Sequence, residues 1–490
     1  MEFVLLAALL AILPWGYVML SKARLLPLAA LVVCVGTVFG PPFFSVQAGI
    51  QLSIDRMLLL LAVALAGVRV VRGELKLPKL QHIDYLIALF AAWLLFSAVR
   101  SEPHAGGESP VSRWLAFVAT PLALYGLARI TKLERRDCRF VLGAFVALGV
   151  YLGLTGVFEV AQLYALVFPR HISDPSYWEF LGRARGPLLN PIGNGILLTT
   201  CLAAATVCFL QSPRKQQLGY GLAICIIGVG VVCTLTRSVW MGALLLALVV
   251  AVLYFWNYVP AAGALGLGAI LLLVSVGPSV NLLEYKRDQN LSAAEARKSI
   301  ELRPILAQVA WEMFQDKPVE GHGYGSYLRT AQPYLASRSQ EASFDLVRPY
   351  IQHNVILSLL VESGAIAVSL LMAVLGFVSF HAWKLCGPTS RTSEQRAIGL
   401  LTFAVVGAYF VNGMFHDVSV IPMTNHCLLF LAGLCVSARN VSFAPTRATD
   451  LPQAAIRPAT GKDGCVEQEA FEPAIHVEAE RVTTSSTLTP

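Results

Sequence analysis

Long apolar runs alternate with short polar connections along most of the chain. They fall at 3–20, 25–43, 57–71, 84–99, 114–130, 140–163, 192–210, 218–235, 238–256, 261–280, 355–382, 398–415 and 421–436. At a helical rise of about 1.5 Å per residue, such runs cross, or nearly cross, about 30 Å of hydrocarbon. The pattern predicts an all-α, polytopic integral membrane protein with about 12–13 transmembrane helices. The first run lacks a basic segment before it, so it reads as a spanning helix and not a cleaved signal peptide. The membrane domain covers residues 1–438, and one long polar interruption within it, 281–352, reads as a large outer (periplasmic) loop. Beyond it, residues 439–490 are dominated by Ala, Pro, Thr, Glu and Ser, a composition that cannot bury enough apolar surface to fold alone. They are expected to form a disordered cytoplasmic tail.

Lysine and arginine in the connections set the expected orientation. One set holds Lys22, Arg24, Arg69, Arg72, Lys76, Lys79, Arg129, Lys132, Arg135, Arg136, Arg139, Arg214, Lys215, Lys384, Arg391 and Arg396. With the long insert left out, because long loops follow the rule poorly, the alternate set is much poorer, with Arg56, Arg100, Arg113, Arg170, Arg183, Arg185 and Arg237. The basic set should face the cytoplasm. The loop around Arg183 and Arg185, the Thr236-Arg237-Ser238 turn, the long insert and the His416-Asp417 connection then share the outer side. Composition agrees: 56% of the 490 residues are hydrophobic and 14% charged, unlike an ordinary soluble domain. The net charge of +7 suits anionic lipid headgroups of the membrane and not nucleic acid. Most of the ten cysteines lie in apolar runs and none in the insert, so neither a disulfide framework nor a zinc site is expected.

Within the insert, Pro304 is placed to open a helix whose Ile305, Leu306, Val309, Met313 and Phe314 fall along one face. Asp316-Lys317-Pro318 ends it. Gly321-His322-Gly323-Tyr324-Gly325-Ser326 is too glycine-rich to continue it, and the backbone N–H groups at Gly321 and Gly323 are free to approach phosphate oxygens closely. The insert closes on Gln352-His353-Asn354. Arginines at membrane edges are costly, which marks Arg185 and Arg237 as further site candidates.

These segments form an ordered series: Arg185-Gly186-Pro187-Leu188-Leu189-Asn190-Pro191, Leu235-Thr236-Arg237-Ser238-Val239-Trp240, Arg303 opening a helix that leads through Asp316-Lys317-Pro318 into Gly321-His322-Gly323-Tyr324-Gly325, then His353-Asn354 and Glu362-Ser363-Gly364. The series resembles the O-antigen ligase superfamily, which includes O-antigen polymerases and related exopolysaccharide enzymes, over roughly residues 151–436. The resemblance implies an inner-membrane glycosyltransferase that moves a glycan from a polyprenyl diphosphate carrier to an acceptor sugar, such as lipid A-core, on the outer face, with no metal or other cofactor. It makes His353 the essential histidine, Arg303 the loop arginine and Arg237 the membrane-edge arginine, with Arg185 as a further match.

The chemistry is consistent with the residue types. Arginine offers a permanent charge and a planar fork of donors for a leaving diphosphate. Histidine, titrating near about 6.5, suits a general base for the attacking hydroxyl. No Asp-x-Asp motif lies on the outer side, which argues against a nucleotide-sugar donor with a metal. Each residue also has a plainer reading. His353 at a helix entrance is an ordinary polar interface position, and Arg237 and Arg303 are able to snorkel. Arg185 and Arg183 sit at a loop boundary, and His322 and Tyr324 suit a turn. Glu362 either pairs within the bundle or tunes His353, and His416 and Asp417 read as structural. Three functions compete: a ligase, a polymerase, and a polysaccharide-related transporter, for which repeated halves with broken helices would be expected.

Overall fold

The computed structural model describes residues 23–48, 50–102, 109–255, 293–336, 352–387 and 392–439. The expected helices at 3–20 and 261–280, the insert residues 281–292 and 337–351, and residues 440–490 lie outside the described residues. The chain divides into a unit over Met1–Pro445 and a second over Thr446–Pro490, and only the first is described.

The described helices are α1 Leu25–Val38, α2 Ile54–Val71, α3 His82–Arg100, α4 Pro110–Ile130, α5 Arg135–Val160, α6 Pro191–Gln211, α7 Arg214–Cys233, α8 Arg237–Tyr254, α9 Ala293–Asp316, α10 Val355–Cys386, α11 Ser393–Gly413 and α12 Pro422–Ala438. A hairpin of β1 Ser45–Ala48 and β2 Ile50–Ser53 joins α1 to α2, pairing Ser45 with Ser53. Among the described residues, eight helices, α3 to α8, α10 and α11, are long and apolar enough to cross a membrane. The protein is an all-α, multi-pass membrane protein. The apolar runs set these elements because a helix satisfies its own backbone where water is missing.

Burial separates the helices into layers. Most of α6 and α11 is buried inside the bundle, whereas α7 and α8 keep most of their surface outside. Leu218, Leu222, Val229 and Val232 on α7 and Met241, Leu244 and Leu248 on α8 are exposed, as lipid-facing side chains should be. Small residues permit the closest crossing. A Cβ on Gly153 of α5 would sit 2.7 Å from the Ile226 carbonyl oxygen of α7, and one on Gly230 would sit 2.6 Å from Gly153 Cα. On α6 the Thr199 and Thr200 hydroxyls return to their own helix, at the carbonyls of Gly195 and Ile196.

The helices have two distinct ends. At one, Arg129 pairs with Asp84, Arg24 with Glu134 and Asp137, and Arg135 with Glu394. At the other, the side-chain oxygens of Asn190 and Asn354 cap α6 and α10 by accepting two N–H bonds each. Asn354 Nδ2 also donates to the Met414 carbonyl at 2.9 Å, stitching α10 to the α11–α12 turn.

Helix α10 is broken at Gly364 (φ 75°, ψ −178°). The break frees backbone groups in the bundle interior, and the segment after α9 enters to meet them. His322 N–H donates to Val361 O at 2.8 Å, Gly323 N–H to Glu362 O at 2.8 Å, and Ala365 N–H to Pro318 O at 2.8 Å. On the other side Trp93 Nε1 donates to Ser363 O at 2.8 Å and Ser97 Oγ to Glu362 O at 3.1 Å, both from α3. A freed group left unpaired here would cost several kcal/mol, so insertion and break stabilise one another. The glycines are steric necessities. A Cβ on Gly364 would lie 2.0 Å from Val319 O, and one on Gly321 would lie 2.5 Å from the Ser363 nitrogen.

Gly364→Ala should therefore destabilise the fold by about 3 kcal/mol or more, from strain and overpacking together. Gly376→Ala, on the same helix at an exposed position with nothing within 4 Å, is the control. Thermal midpoints in detergent check this, with Gly364→Ala far below both the wild type and Gly376→Ala; equal midpoints would contradict it.

Candidate functional site

The end of the bundle that carries Asn190 and Asn354 also holds His353, Arg303, Arg237, Arg185 and the glycine segment. His353 precedes the Asn354 cap of α10 and is half-buried. Its ring faces His416 edge to face, with centroids 6.3 Å apart. Burial, and then the nearby positive charge of Arg303, hold the His353 imidazolium pKa below its ordinary value. Arg303 is exposed on α9, whose Leu306, Val309, Ala310 and Met313 pack with Val361 of α10 in a small core. The helix does not open at Pro304, as the sequence suggested. It starts at Ala293 and carries the proline inside, at the loss of one N–H donor.

Arg237 is the first residue of α8 and is exposed. A turn below it, a Cβ on Gly242 would lie 3.4 Å from Ala408 Cα and 3.5 Å from Asn412 Nδ2, so α8 runs beside the end of α11 that leads to His416. The turn before Arg237 is held by Arg183, which donates from Nε to Thr234 O at 3.1 Å and from Nη2 to Thr236 Oγ1 at 2.5 Å.

Arg185 has a different environment from the other arginines. It is 0% exposed, and its guanidinium donates to the carbonyls of Tyr177, of Glu179 at 2.6 Å and of Ile172 at 2.7 Å. Beneath it, the Glu159 carboxylate accepts from Arg185 N–H at 3.2 Å and Gly186 N–H at 2.9 Å. These bonds fold the loop before α6 and leave Arg185 no face for a ligand. The N–H groups of Gly321 and Gly323 are likewise taken, by the carbonyls of Lys317 and Glu362. The close approach that these glycines allow is to the protein itself, Gly321 to Glu362 and Ser363 of the broken helix and Gly323 to Ser101 at the end of α3. His322 anchors the segment through a 2.8 Å contact between Nε2 and Met313 O, and Tyr324 is buried.

The sequence reading gave Arg113 no role and left Glu362 open. Arg113, one turn into α4, places its Cζ 5.5 Å from the Tyr324 ring centroid and lies within electrostatic reach of Glu362 and Asp417. Glu362 is 4% exposed, and the N–H groups of Gly325 and Tyr327 face its carboxylate. Asp417 accepts from Ser358 Oγ of α10 at 2.7 Å and from Ser419 Oγ at 2.5 Å. Below Tyr324 lies a largely apolar cavity of about 70 Å³ lined by Phe90, Leu94, Phe117, Leu359 and Tyr409 among others. An arginine at the margin of an apolar run was the available signal for Arg113. Among the described residues, no group of three or more His, Cys, Asp or Glu is placed to hold a metal ion.

Residues 221–372, from within α7 to the middle of α10, match the family model described as O-Antigen ligase. This segment belongs to the O-antigen ligase superfamily. It contains Arg237, Arg303, Gly321, Gly323, His353, Glu362 and Gly364, whereas Arg113 and Arg185 precede it. No curated protein matches the chain. The O-antigen ligase domain brings with it the ligase and polymerase type of membrane glycan chemistry.

Two outcomes follow for the arginines. Arg303→Gln removes the charge that depresses His353, so the midpoint of the His353 ring titration, read by NMR of labelled histidine in nanodiscs, should rise; an unchanged midpoint would place Arg303 elsewhere. Arg185→Ala leaves three carbonyls without their donor and takes a positive charge from beside the buried Glu159, and should lose about 3 kcal/mol or more of stability, whereas Arg237→Ala, at an exposed position, should stay within about 0.5 kcal/mol. Thermal melts of the two variants test the contrast, and similar midpoints would overturn it.

Proposed function

We propose that the protein transfers a glycan from a polyprenyl diphosphate carrier to an acceptor sugar hydroxyl, as a ligase in lipopolysaccharide or exopolysaccharide assembly, at the periplasmic face of the inner membrane. The observation that carries this reading is a half-buried histidine with a depressed pKa beside an exposed arginine, at a bundle end that also displays Arg237. The acceptor oxygen bonds to the sugar C1 as the bond from C1 to the diphosphate oxygen breaks. His353 takes the hydroxyl proton, and its depressed pKa keeps it neutral and ready to do so. The diphosphate leaves with its added negative charge, which Arg303 and Arg237 stabilise through fork-shaped donor sets. Arg185 shapes the loop on which this arrangement rests and makes no contact with the donor.

The orientation rests on charge. Arg24, Lys79, Arg129, Arg135, Lys384 and Arg396 sit at or near the helix ends away from His353, and by the positive-inside tendency this supports a periplasmic position for His353. A polymerase that extends one carrier-linked glycan with another uses the same donor chemistry. The two differ in a deletion strain, where unligated carrier-linked polymer marks a ligase and acceptors capped with single repeat units mark a polymerase.

Reconstituted with a polyprenyl diphosphate-linked glycan and an acceptor, His353→Ala should lose transfer while remaining folded and inserted; unchanged turnover would remove His353 from the mechanism. Arg303→Ala and Arg237→Ala should each lower kcat/KM by about 10- to 100-fold, in line with the loss of a charge-stabilising donor, with the Lys variants keeping more activity. Equal activity in all four would argue against the diphosphate clamp. Because the base must be neutral, transfer should persist below pH about 6.5, the ordinary histidine value, and fall only as pH drops through the depressed His353 pKa. A rate that halves above that value would contradict the assignment.

A further inference from the structure

We propose that Glu362 and Arg113 are positioning residues: they lock the segment 317–327 into the break of α10 and thereby set where α9 holds Arg303 beside His353. Helix α9 bears Arg303 near its middle and ends at Asp316, and the chain then enters α10 at Pro318, His322 and Gly323. The placing of α9 thus depends on how deeply that segment sits. Its first half is fixed by backbone bonds to α10, by the His322 ring against Met313 O and by the ion pair of Glu320 with Arg100 of α3. Its second half lies over the Glu362 carboxylate, which the N–H groups of Gly325 and Tyr327 face.

Arg113 closes the arrangement from α4. Its Cδ would be 3.2 Å from a Cβ on Gly325, so the glycine lets the guanidinium stem pass directly against the segment. The same arginine lies near Asp417, which is bonded to Ser358 of α10 and adjoins His416, the ring that faces His353. One guanidinium therefore ties the glycine segment, the broken helix and the α11–α12 turn. Two carboxylates beside it make this a poor place for a second phosphate, which separates Arg113 from the exposed arginines. Buried ion pairs add little net stability, but losing one partner leaves the other uncompensated, and that sensitivity lets them specify one geometry.

The kinetic arm of the test rests on the transferase reading, and the titration arm does not. Among the described residues, Arg303 from α9 and His416 from the α11–α12 turn are the charged or titratable groups that face His353. If Glu362 acts by position, Glu362→Gln loosens the segment, moves Arg303 away and raises the midpoint of the His353 ring titration. In the Arg303→Gln background it should add no further rise. Direct electrostatics gives the opposite sign, because removing a nearby negative charge lowers a histidine pKa. The variants are measured as full-length protein in nanodiscs by NMR of labelled histidine, with the His353 signal identified by its loss in His353→Gln. Arg113→Met should raise the midpoint as well, and the double replacement should act less than additively. In reconstituted transfer, Glu362→Gln should lower kcat about tenfold or more with a smaller change in KM, as misplacement of a reacting group does.

A midpoint that stays fixed or falls in both Glu362→Gln and Arg113→Met overturns the proposal, provided that melts show the variants folded. If either fails to fold, Glu362→Asp and Arg113→Lys, which keep charge, replace them with the same expected direction and a smaller shift. A wild-type protein that transfers no glycan would sink the transferase reading and still leave the titration to decide the positioning.

Discussion

The break at Gly364 is the constraint around which the site is arranged. A continuous α10 would satisfy its own backbone and have no use for a partner. A broken one exposes carbonyls in a low-dielectric interior, where each must find a donor. The chain supplies them from two directions, α3 through Trp93 and Ser97 and the glycine segment through His322 and Gly323. Because that segment continues directly from α9, paying for the break in this way also fixes the helix that carries Arg303. A local backbone interruption in the membrane becomes a positional link between elements distant in sequence.

The same economy of backbone groups organises the remaining cations. Arg183 and Arg185 are buried and spend their donors on carbonyls, Arg183 at the turn before α8 and Arg185 within the loop before α6. Arg237 and Arg303 are exposed, the first on a turn that Arg183 holds and the second on a helix packed against α10. In the proposed reaction this division gives Arg237 and Arg303 the charge to meet a diphosphate and leaves Arg183 and Arg185 to hold the turn before α8 and the loop before α6. Arginine suits both tasks because its fork matches carbonyl pairs as well as phosphate oxygens.

Much of the helix layout was legible because hydrocarbon imposes length and composition together. The run at 192–210 became α6 Pro191–Gln211 and that at 355–382 became α10 Val355–Cys386, with Asn190 and Asn354 as natural caps at their entrances. The interruption at Gly364 was not legible, since a single glycine in an apolar run looks the same whether the helix continues or breaks. The outcome there depends on a segment some forty residues earlier. Arg185 was misleading for a related reason: its partners Ile172, Tyr177 and Glu179 lie in an irregular loop with no period to reveal that their carbonyls converge. Arg113 fell at the margin of a run and read as a connection, although its side chain is turned inward to Tyr324. The pairing of His353 with Arg303 came from the family resemblance, and the packing of α9 on α10 supplies its geometry.

The most direct test of the account is a structure of the His353→Ala protein with a polyprenyl diphosphate-linked sugar bound. The account predicts diphosphate oxygens within hydrogen-bonding distance of Arg303 and Arg237, with the sugar C1 turned toward position 353. A diphosphate held at the opposite end of the bundle, or out of reach of both arginines, would contradict it.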